Sequence, residues 1–218
     1  VMVMSFGPAN IPLFPLTGAL LLPRSRLPLN IFEPKYLEMI KDSLKSDHRL
    51  IGMIQPLENQ ERNSSSKDIE KFYKIGCAGK ITSYDELDDG RYMITLTGFS
   101  RFFLIDLKQN QSSYFLAKID WSDFSVDLGN NPAKEMSGTD PFFSIIADYF
   151  SSNKISADWS NLKKADQETL INSLSILCPF ESYEKQALLE AYSLDDRKKV
   201  LTTLMEISSQ KQGNDIIQ

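Results

Sequence analysis

The sequence predicts an α+β protein: a β region with one inserted helix, followed by a bundle of α-helices. Two observations support this prediction. From residue 10 to about residue 125, apolar residues come in short runs broken by Gly, Pro, Asn and Asp, which is typical of strands and turns. After Val126, apolar residues recur every three or four positions, which is typical of amphipathic helices. A chain of 218 residues is long enough to bury a core without disulfides or metals.

Eight short apolar runs in the β region are predicted to be strands. They are Ile11–Leu16, Leu27–Phe32, Leu50–Ile54, Phe72–Ile75, Lys80–Tyr84, Arg91–Thr97, Arg101–Leu107 and Phe115–Trp121. Pro12, Pro15 and Pro28 interrupt the first two runs. Because proline donates no main-chain hydrogen bond, we expect these two strands at sheet edges or bends. Asp88-Asp89-Gly90 precedes alternating residues and predicts a β-hairpin turn.

One helix is predicted inside the β region. Pro34 is suited to the first turn of a helix. The apolar residues that follow it at helical spacing are Tyr36, Leu37, Ile40 and Leu44. The polar segment Gln55–Asp68 is predicted to be a long loop between strands.

The helical region is divided into a linker at 126–138, a bundle at 139–209 and a flexible tail at 210–218. Its predicted helices are one that starts at Pro141, then Asp166–Leu177, Tyr183–Ala191 and Ser193–Ser208. The second of these helices carries its apolar residues on one face. The residues on that face are Leu170, Ile171, Leu174 and Leu177.

Charge and composition argue against several classes of function. The chain has 24 Lys and Arg against 29 Asp and Glu, a net charge of −5, which suits phosphate backbones poorly. With two cysteines and one histidine, neither a disulfide framework nor a zinc site of His and Cys can be built. We see no membrane-length apolar run and no signal-peptide start, so we expect a cytoplasmic protein. No metal and no cofactor are expected.

Candidate catalytic groups do not assemble into a recognisable site. The string Gly76–Ile81 is too short for a phosphate-binding loop and lacks its terminal hydroxyl. His48 lies in a polar loop, and we expect it to be exposed. The carboxylate pairs Asp85-Glu86 and Asp88-Asp89 are expected to be solvated at a hairpin tip. Cys77 and Cys178 have apolar neighbours and are expected to be buried rather than reactive. We therefore predict no catalytic residue.

Several ordered blocks of sequence resemble one known family. The blocks are Ile11–Leu16 followed by Leu27–Tyr36, then Ile75–Ile81, Leu96–Phe102, Leu177–Phe180 and Glu184–Ala191. Together they resemble the Lon protease N-terminal, or substrate-binding, domain over about residues 11–207. The later blocks look like small stand-alone bacterial members without ATPase or peptidase domains. The polar close at residues 216–218 favours a stand-alone chain over a fragment.

The resemblance implies a PUA-like β pseudo-barrel over residues 10–125, with the helical bundle after it. It also implies recognition of proteins, since this domain in the full protease helps to capture unfolded or tagged substrates. In cereblon-type ligase receptors a related domain contacts an adaptor protein instead. We therefore expect a non-catalytic protein-binding module whose partners are client proteins or a partner protease or ATPase.

The signature residues of the family are predicted to be mainly structural. They are Pro28, Ile31, Phe32, Glu33, Pro34, Tyr36, Gly76, Gly79, Gly98, Arg101 and Phe102. Ile31, Phe32 and Tyr36 are expected to fill the barrel and its seam with the helix. The glycines are expected at bends where a Cβ would collide. Glu33 and Arg101 are hypothesised to approach each other near the barrel rim.

Client binding calls for exposed apolar side chains, which on a soluble chain mark interaction sites. The candidates are Met2, Met4, Phe6, Leu20, Leu21 and Leu22. Three alternatives remain open: a PUA-like RNA-binding protein, the N-terminal fragment of a full ATP-dependent Lon protease, and an enzyme with an unrecognised pocket. The tight basic clusters that could serve RNA are Lys163-Lys164 and Arg197-Lys198-Lys199, both predicted on exposed helix faces.

Overall fold

The structure is a computed structural model that describes residues 7–57, 68–109, 113–129 and 134–215, without the side chains of 109 and 211–215. The chain divides into two compact units, Val1–Asn130 and Asn131–Gln218. In its described residues the first unit holds six strands, β1 to β6, and helix α1. The strands are Asn10–Pro15, Arg26–Ile31, Leu50–Ile54, Ile75–Glu86, Tyr92–Gln109 and Phe115–Asp120, and α1 is Pro34–Lys45. Two 3-10 helices, Asp68–Lys71 and Ser122–Leu128, complete the unit.

The six strands form one sheet in the order β2-β5-β4-β3-β1-β6, and β5 also pairs with β6. The β5–β6 pairing closes β5, β4, β3, β1 and β6 into a barrel and leaves β2 at an edge beside β5. Strand β5 serves both partners along its length, since its residues 92–97 pair with β2 and its residues 103–109 pair with β6. The predicted α+β class is confirmed, but the predicted strands Arg91–Thr97 and Arg101–Leu107 are parts of one strand.

The two proline-containing strands were predicted at sheet edges or bends, and β2 lies at an edge whereas β1 does not. Strand β1 lies inside the sheet, parallel to β3 and antiparallel to β6. Pro12 comes before the pairing with β3, which starts at Leu13, and Pro15 comes after the pairing with β6, which ends at Leu13. A main-chain N–H toward β3 at Pro12, or toward β6 at Pro15, would therefore have no partner in the sheet.

The barrel core is built from alternate residues of the strands. Its fully buried members include Ile11, Leu13, Phe102, Leu104 and Ala117. Helix α1 buries Met39, Ile40 and Ser43, whereas the predicted Tyr36, Leu37 and Leu44 are only half-buried. The helix therefore forms where the spacing predicted it, with its buried face rotated toward Met39. The predicted loop lies mostly outside the described residues, and its last residue, Asp68, starts a 3-10 helix.

The second unit contains five helices within residues 134–215. They are α2 Phe142–Ser152, α3 Trp159–Lys164, α4 Gln167–Leu177, α5 Ser182–Glu190 and α6 Leu194–Asp215. Side-chain caps start several of them: Asp158 accepts from the first turn of α3, and Asp166 caps α4. The predictions missed α3, and they ended α6 too early, since it continues to Asp215 through the predicted tail.

The predicted linker at 126–138 overlaps the first unit, because the Ser122–Leu128 3-10 helix carries a buried Asp127. Within the described residues, none of the helices combines the length and apolarity that crossing a bilayer requires.

Candidate functional site

The buried charge in the first unit is a pair formed by Arg101 and Asp127. The Arg101 Nε donates to Asp127 Oδ2 at 2.9 Å, and its Nη2 donates to Oδ1 at 2.8 Å. The main-chain N–H of Arg101 also donates to Oδ2 at 2.9 Å, and the guanidinium lies 4.9 Å from the centre of the Phe124 ring. This pair fastens the Ser122–Leu128 3-10 helix to β5.

The hypothesis that Glu33 approaches Arg101 is wrong. Glu33 is the N-cap residue of α1, and its carboxylate is half-exposed, 3.3 Å from Lys35 Nζ. Asp127 is the buried partner of Arg101 that Glu33 was expected to be. No motif around Asp127 predicts this role, because it is the fold that places Asp127 beside Arg101.

The proposed client-binding residues do not form an exposed surface in the described part of the chain. Leu20, Leu21 and Leu22 are buried, with at most 2% of each exposed. The expectation that they are exposed is therefore wrong: they form part of the core and approach β5, as described for Gly98 below. Met2, Met4 and Phe6 lie outside the described residues.

The glycines of the signature stand where a Cβ would collide, as predicted. A Cβ at Gly98 would lie 2.0 Å from the Leu22 carbonyl oxygen, and one at Gly76 would lie 2.5 Å from Phe102 Cζ. At Gly79 the nearest atom is Leu21 Cδ2, at 2.7 Å. Each distance is shorter than real Cβ atoms show, and at Gly98 the colliding atom belongs to the main chain, so these positions serve the architecture.

Several signature residues meet at a small pocket, here called the Phe32 pocket, with a volume of about 140 Å³. Its lining residues are Phe14, Pro15, Leu16, Leu29, Asn30, Ile31, Phe32, Glu33 and Tyr36. They come from the end of β1, the end of β2 and the start of α1. Pro34 fixes the turn from β2 into α1 and so sets Glu33 and Tyr36 at the rim.

Phe32 is 65% exposed at this pocket, so the prediction that it fills the barrel is wrong. Ile31 is 2% exposed and does face the core, as predicted. Tyr36 packs on Phe14 with ring centroids 4.4 Å apart, which gives the pocket an aromatic wall. A strand that ends at Ile31 leaves the next side chain, Phe32, on the opposite and solvated side.

The rim of the Phe32 pocket carries one cation and one anion. Lys35 Nζ pairs with Glu33 and lies 4.6 Å from the centroid of the Tyr36 ring. Partial burial works to lower the pKa of Lys35, but interactions with Tyr36 and Glu33 outweigh it and raise that pKa. Burial raises the pKa of Tyr36. The Lys35–Glu33 pair therefore leaves the rim close to neutral.

A second concave surface, here called the Leu177 groove, lies in the helical unit and has a volume of about 400 Å³. Its apolar walls come from α2, α3 and α4 and from the segment after α2. They include Phe150, Ile155, Leu162, Leu170, Leu174 and Leu177. Leu177 is 80% exposed, whereas the other residues of the same predicted helix face are buried. It is the last residue of α4.

The cysteines are buried, as predicted, at positions 77 and 178. Burial raises the pKa of the Cys178 thiol to about 11, so the sulfur stays protonated and weakly nucleophilic at neutral pH. His48 and the carboxylates of the β4–β5 hairpin are exposed, as predicted. Among the described residues, the side chains of His, Cys, Asp and Glu form no group of three or more that could hold a metal ion.

One basic cluster differs from its prediction. Arg197 is 4% exposed, and its side chain donates to Leu188 O and Asn172 Oδ1 inside the helical unit. Lys198 pairs with Asp140 at 2.9 Å, and Lys199 with Asp196 at 3.1 Å. The predicted exposed row of three cations on α6 is therefore two lysines that each pair with a carboxylate.

Comparison with known proteins gives one consistent family. A family model described as the ATP-dependent protease La (LON) substrate-binding domain matches residues 10–206. Lon protease 1 of Bdellovibrio bacteriovorus is 25% identical over 206 residues, which is 94% of this chain and 25% of that protein. The Lon protease of Anaeromyxobacter dehalogenans is 26% identical over 113 residues, 52% of this chain and 13% of that protein. The chain thus spans a quarter or less of the length of these relatives.

Solved structures share the fold. A Lon N-terminal domain protein from Xanthomonas campestris matches with a TM-score of 0.59 at 18% identity, over 89% of this chain and 97% of that one. The N-terminal domain of the Mycobacterium avium complex Lon protease matches with a TM-score of 0.56 at 15% identity, over 90% of this chain and 98% of that one. At these identities the likeness is one of fold.

Proposed function

Because this chain belongs to the family of ATP-dependent protease La (LON) substrate-binding domains, we propose that it is a non-catalytic module that binds unfolded or specific client proteins. The Phe32 pocket is the proposed site, and it takes one apolar side chain of the client. The single observation that carries this assignment is Phe32, which is 65% exposed beside an apolar pocket built from the signature segment.

Physical chemistry favours an apolar client at this site. An aromatic side chain held in water gains about 1.5–3 kcal/mol when a partner covers it fully. Unfolded proteins offer the aliphatic and aromatic side chains that folded proteins hide. Since Glu33 and Lys35 largely neutralise each other at the rim, clients of either charge are accepted. This combination suits a site that recognises unfolded sequence broadly rather than one ligand.

The proposed setting is proteolysis. The curated relatives are Lon proteases that extend well beyond the region this chain matches. We propose client proteins as the first partner and a protease or ATPase, on another chain or another domain, as the second. The module would hold a client through an exposed apolar segment until that partner engages it.

The first test is binding of a permanently unfolded protein, for which reduced and carboxymethylated α-lactalbumin carrying a fluorophore is suitable. Fluorescence anisotropy is expected to show saturable binding, weakened at least tenfold, or about 1.4 kcal/mol, by Phe32→Ser. Phe32 is exposed, so this substitution is expected to leave the unfolding midpoint unchanged. Leu177→Ser is the matched control, because it removes an apolar side chain of the helical unit that is still more exposed, at 80% against 65% for Phe32.

Three results would contradict the proposal. One is absence of saturable binding, and another is equal affinity of the wild type and the Phe32→Ser variant. A third is loss of binding in Leu177→Ser alone, which would move the site to the Leu177 groove. A labelled transfer RNA serves as a further probe, and salt-sensitive binding of that RNA alone would favour the RNA-binding alternative.

A further inference from the structure

We propose that a client segment binds the Phe32 pocket in an extended conformation, as an additional β-strand on the free edge of β2. Its main chain would hydrogen-bond to Asn30, and one of its apolar side chains would enter the pocket. This inference rests on the proposed function, because it uses the same pocket. It adds the conformation of the client and the main-chain groups that recognise it.

The register of β2 and β5 determines which main-chain groups of β2 face the free edge. Arg26 lies opposite Thr97 and Ile31 opposite Tyr92, so Ser25 lies opposite Gly98. Gly98 N donates to Ser25 O at 2.9 Å, so the Ser25 carbonyl points to β5, and the Arg26 N–H, on the opposite side of the same trans peptide, points away from β5. The direction of the main-chain groups alternates in this way from residue to residue along an antiparallel strand. The main-chain groups of Leu27, Leu29 and Ile31 therefore point to β5, and those of Arg26, Pro28 and Asn30 point away from it.

The outward-pointing groups are open to a partner. The side chains of Arg26, Pro28 and Asn30 are all exposed. Among the described residues, no hydrogen bond beyond the β2–β5 ladder involves the main chain of these three. Pro28 offers only a carbonyl, whereas Asn30 offers both an N–H and a carbonyl. Unpaired groups of this kind on a strand edge are what an added strand recognises.

Asn30 joins this open edge to the pocket, because it also lines the Phe32 pocket. Side chains on paired strands share a face, so client residues opposite Leu29 and Ile31 would point to the apolar side. The pocket volume of about 140 Å³ is on the order of five water molecules, enough for one side chain. One apolar side chain of the client can thus enter the Phe32 pocket while the adjacent main chain of the client pairs with Asn30.

Pro28 limits this edge without closing it. A proline in an edge strand removes one donor and so hinders long edge-to-edge pairing, which would lead to aggregation. The donor that remains beside the pocket is that of Asn30. The edge is therefore suited to a short client segment and unsuited to a second full sheet.

The test uses the wild-type chain and peptides with the alternating sequence Lys-Thr-Leu-Thr-Leu-Thr-Leu-Thr-Lys, acetylated and amidated. One isomer carries N-methyl groups on the leucine amides and another on the threonine amides. A leucine side chain must face the pocket, and this fixes the register of the peptide against β2. In that register either the leucine amides or the threonine amides point to β2, but not both. We expect the parent and one isomer to displace labelled carboxymethylated α-lactalbumin, with the other isomer at least tenfold weaker. The isomer that retains binding also reports whether the added strand is parallel or antiparallel.

Equal potency of the two isomers, whether both bind or both fail, would overturn strand addition. That result leaves the proposed function standing as long as the unfolded protein itself binds and Phe32→Ser weakens it. Failure of the unfolded protein to bind would instead overturn the proposed function. The two failures are thus distinguishable in one titration.

A pair of variants tests the same point from the side of the protein. Asn30→Pro removes the outward N–H that does not pair with β5, and we expect at least tenfold weaker binding of the labelled unfolded protein. Arg26→Pro is the matched control. It also removes an N–H that points away from β5, but Arg26 does not line the pocket. Equal affinity of the two variants would contradict the proposal, and circular dichroism checks that both fold.

Discussion

At the scale of single residues, the first unit depends on two charges that are hidden from water. The side chains of Arg101 and Asp127 are 3% and 5% exposed, and the carboxylate accepts three hydrogen bonds from Arg101. A buried ion pair of this kind offers little net stability compared with an apolar pair, but losing one partner leaves a charge with no compensation. The pair therefore acts as a requirement for the correct fold of the Ser122–Leu128 segment.

Replacing Asp127 with alanine is expected to lower the free energy of unfolding by about 3–5 kcal/mol. Urea denaturation followed by circular dichroism measures this change. Asp68→Ala is the control, since the Lys71–Asp68 pair is half-exposed with its atoms 2.6 Å apart. An exposed pair contributes about 0–1 kcal/mol. If Asp127→Ala and Asp68→Ala destabilise the protein equally, the structural role of the buried pair is wrong.

Residue-scale predictions from sequence succeeded where neighbours along the chain decide the outcome. Cys77 and Cys178 are buried, as predicted, and Ser193, where the last helix was predicted to start, accepts a hydrogen bond from the Asp196 N–H at 3.1 Å. They failed for Glu33 and Phe32, whose surroundings depend on distant segments. Arg101 and its partner are 26 positions apart, and no local pattern reveals that distance.

At the scale of elements, the crossing of the Leu20–Ser25 segment over β5 explains Gly98. Arg24 N donates to Gly98 O at 2.8 Å, and Gly98 N donates to Ser25 O at 2.9 Å. These bonds bring main chain against main chain at a point where β5 has no room for a side chain. The close approach also buries Leu20, Leu21 and Leu22, which is why an apolar run with no clear periodicity became core.

Gly98→Ala is expected to destabilise the protein by about 1–3 kcal/mol or more, because its Cβ would lie 2.0 Å from the rigid Leu22 carbonyl oxygen. The measurement is the thermal unfolding midpoint. Gly138→Ala is the matched control, since a Cβ there meets nothing within 4 Å. That control is expected to change stability by less than about 0.5 kcal/mol. A Gly98→Ala variant as stable as Gly138→Ala would contradict the close approach.

Periodicity predicted elements whose burial pattern is regular. Strand β3, buried along all of Leu50–Ile54, has the predicted bounds, and α4 starts one residue after its predicted first residue, Asp166. Helix α3 was not predicted because its six residues are too few to show a period. Strand β1 was predicted at an edge or a bend because proline lacks a main-chain donor, and only the register shows that the donor is not needed there.

At the scale of the whole molecule, the family and the α+β architecture could be predicted, whereas the surface available to partners could not. The signature blocks are conspicuous in the sequence because prolines, glycines and aromatic residues constrain the backbone. Which of those side chains stay exposed depends on strand ends and packing that the sequence does not display. The Phe32 pocket therefore emerged only from the folded chain, although four of its lining residues, Ile31, Phe32, Glu33 and Tyr36, had been named in advance.

The boundary of the first unit provides the last prediction. The structure ends this unit at Asn130, whereas the sequence pattern ended the β region at residue 125. A fragment of residues 1–130 keeps Asp127 and the barrel core, so we expect it to fold cooperatively. A fragment of residues 1–125 lacks Asp127 and leaves Arg101 without that carboxylate, so we expect it to be less stable by about 3–5 kcal/mol.

Urea denaturation followed by tryptophan fluorescence compares the two fragments directly, because Trp121 is the single tryptophan in both and is 6% exposed in the folded unit. Adding Arg101→Met to the shorter fragment is the decisive control. Methionine removes the uncompensated charge while filling much of the same space, so this variant is expected to recover part of the lost stability. Equal stability of the 1–125 and 1–130 fragments would show that residues 126–130 do not contribute to the stability of the unit. Recovery by Arg101→Met would show that the boundary is set by a buried charge rather than by apolar contact.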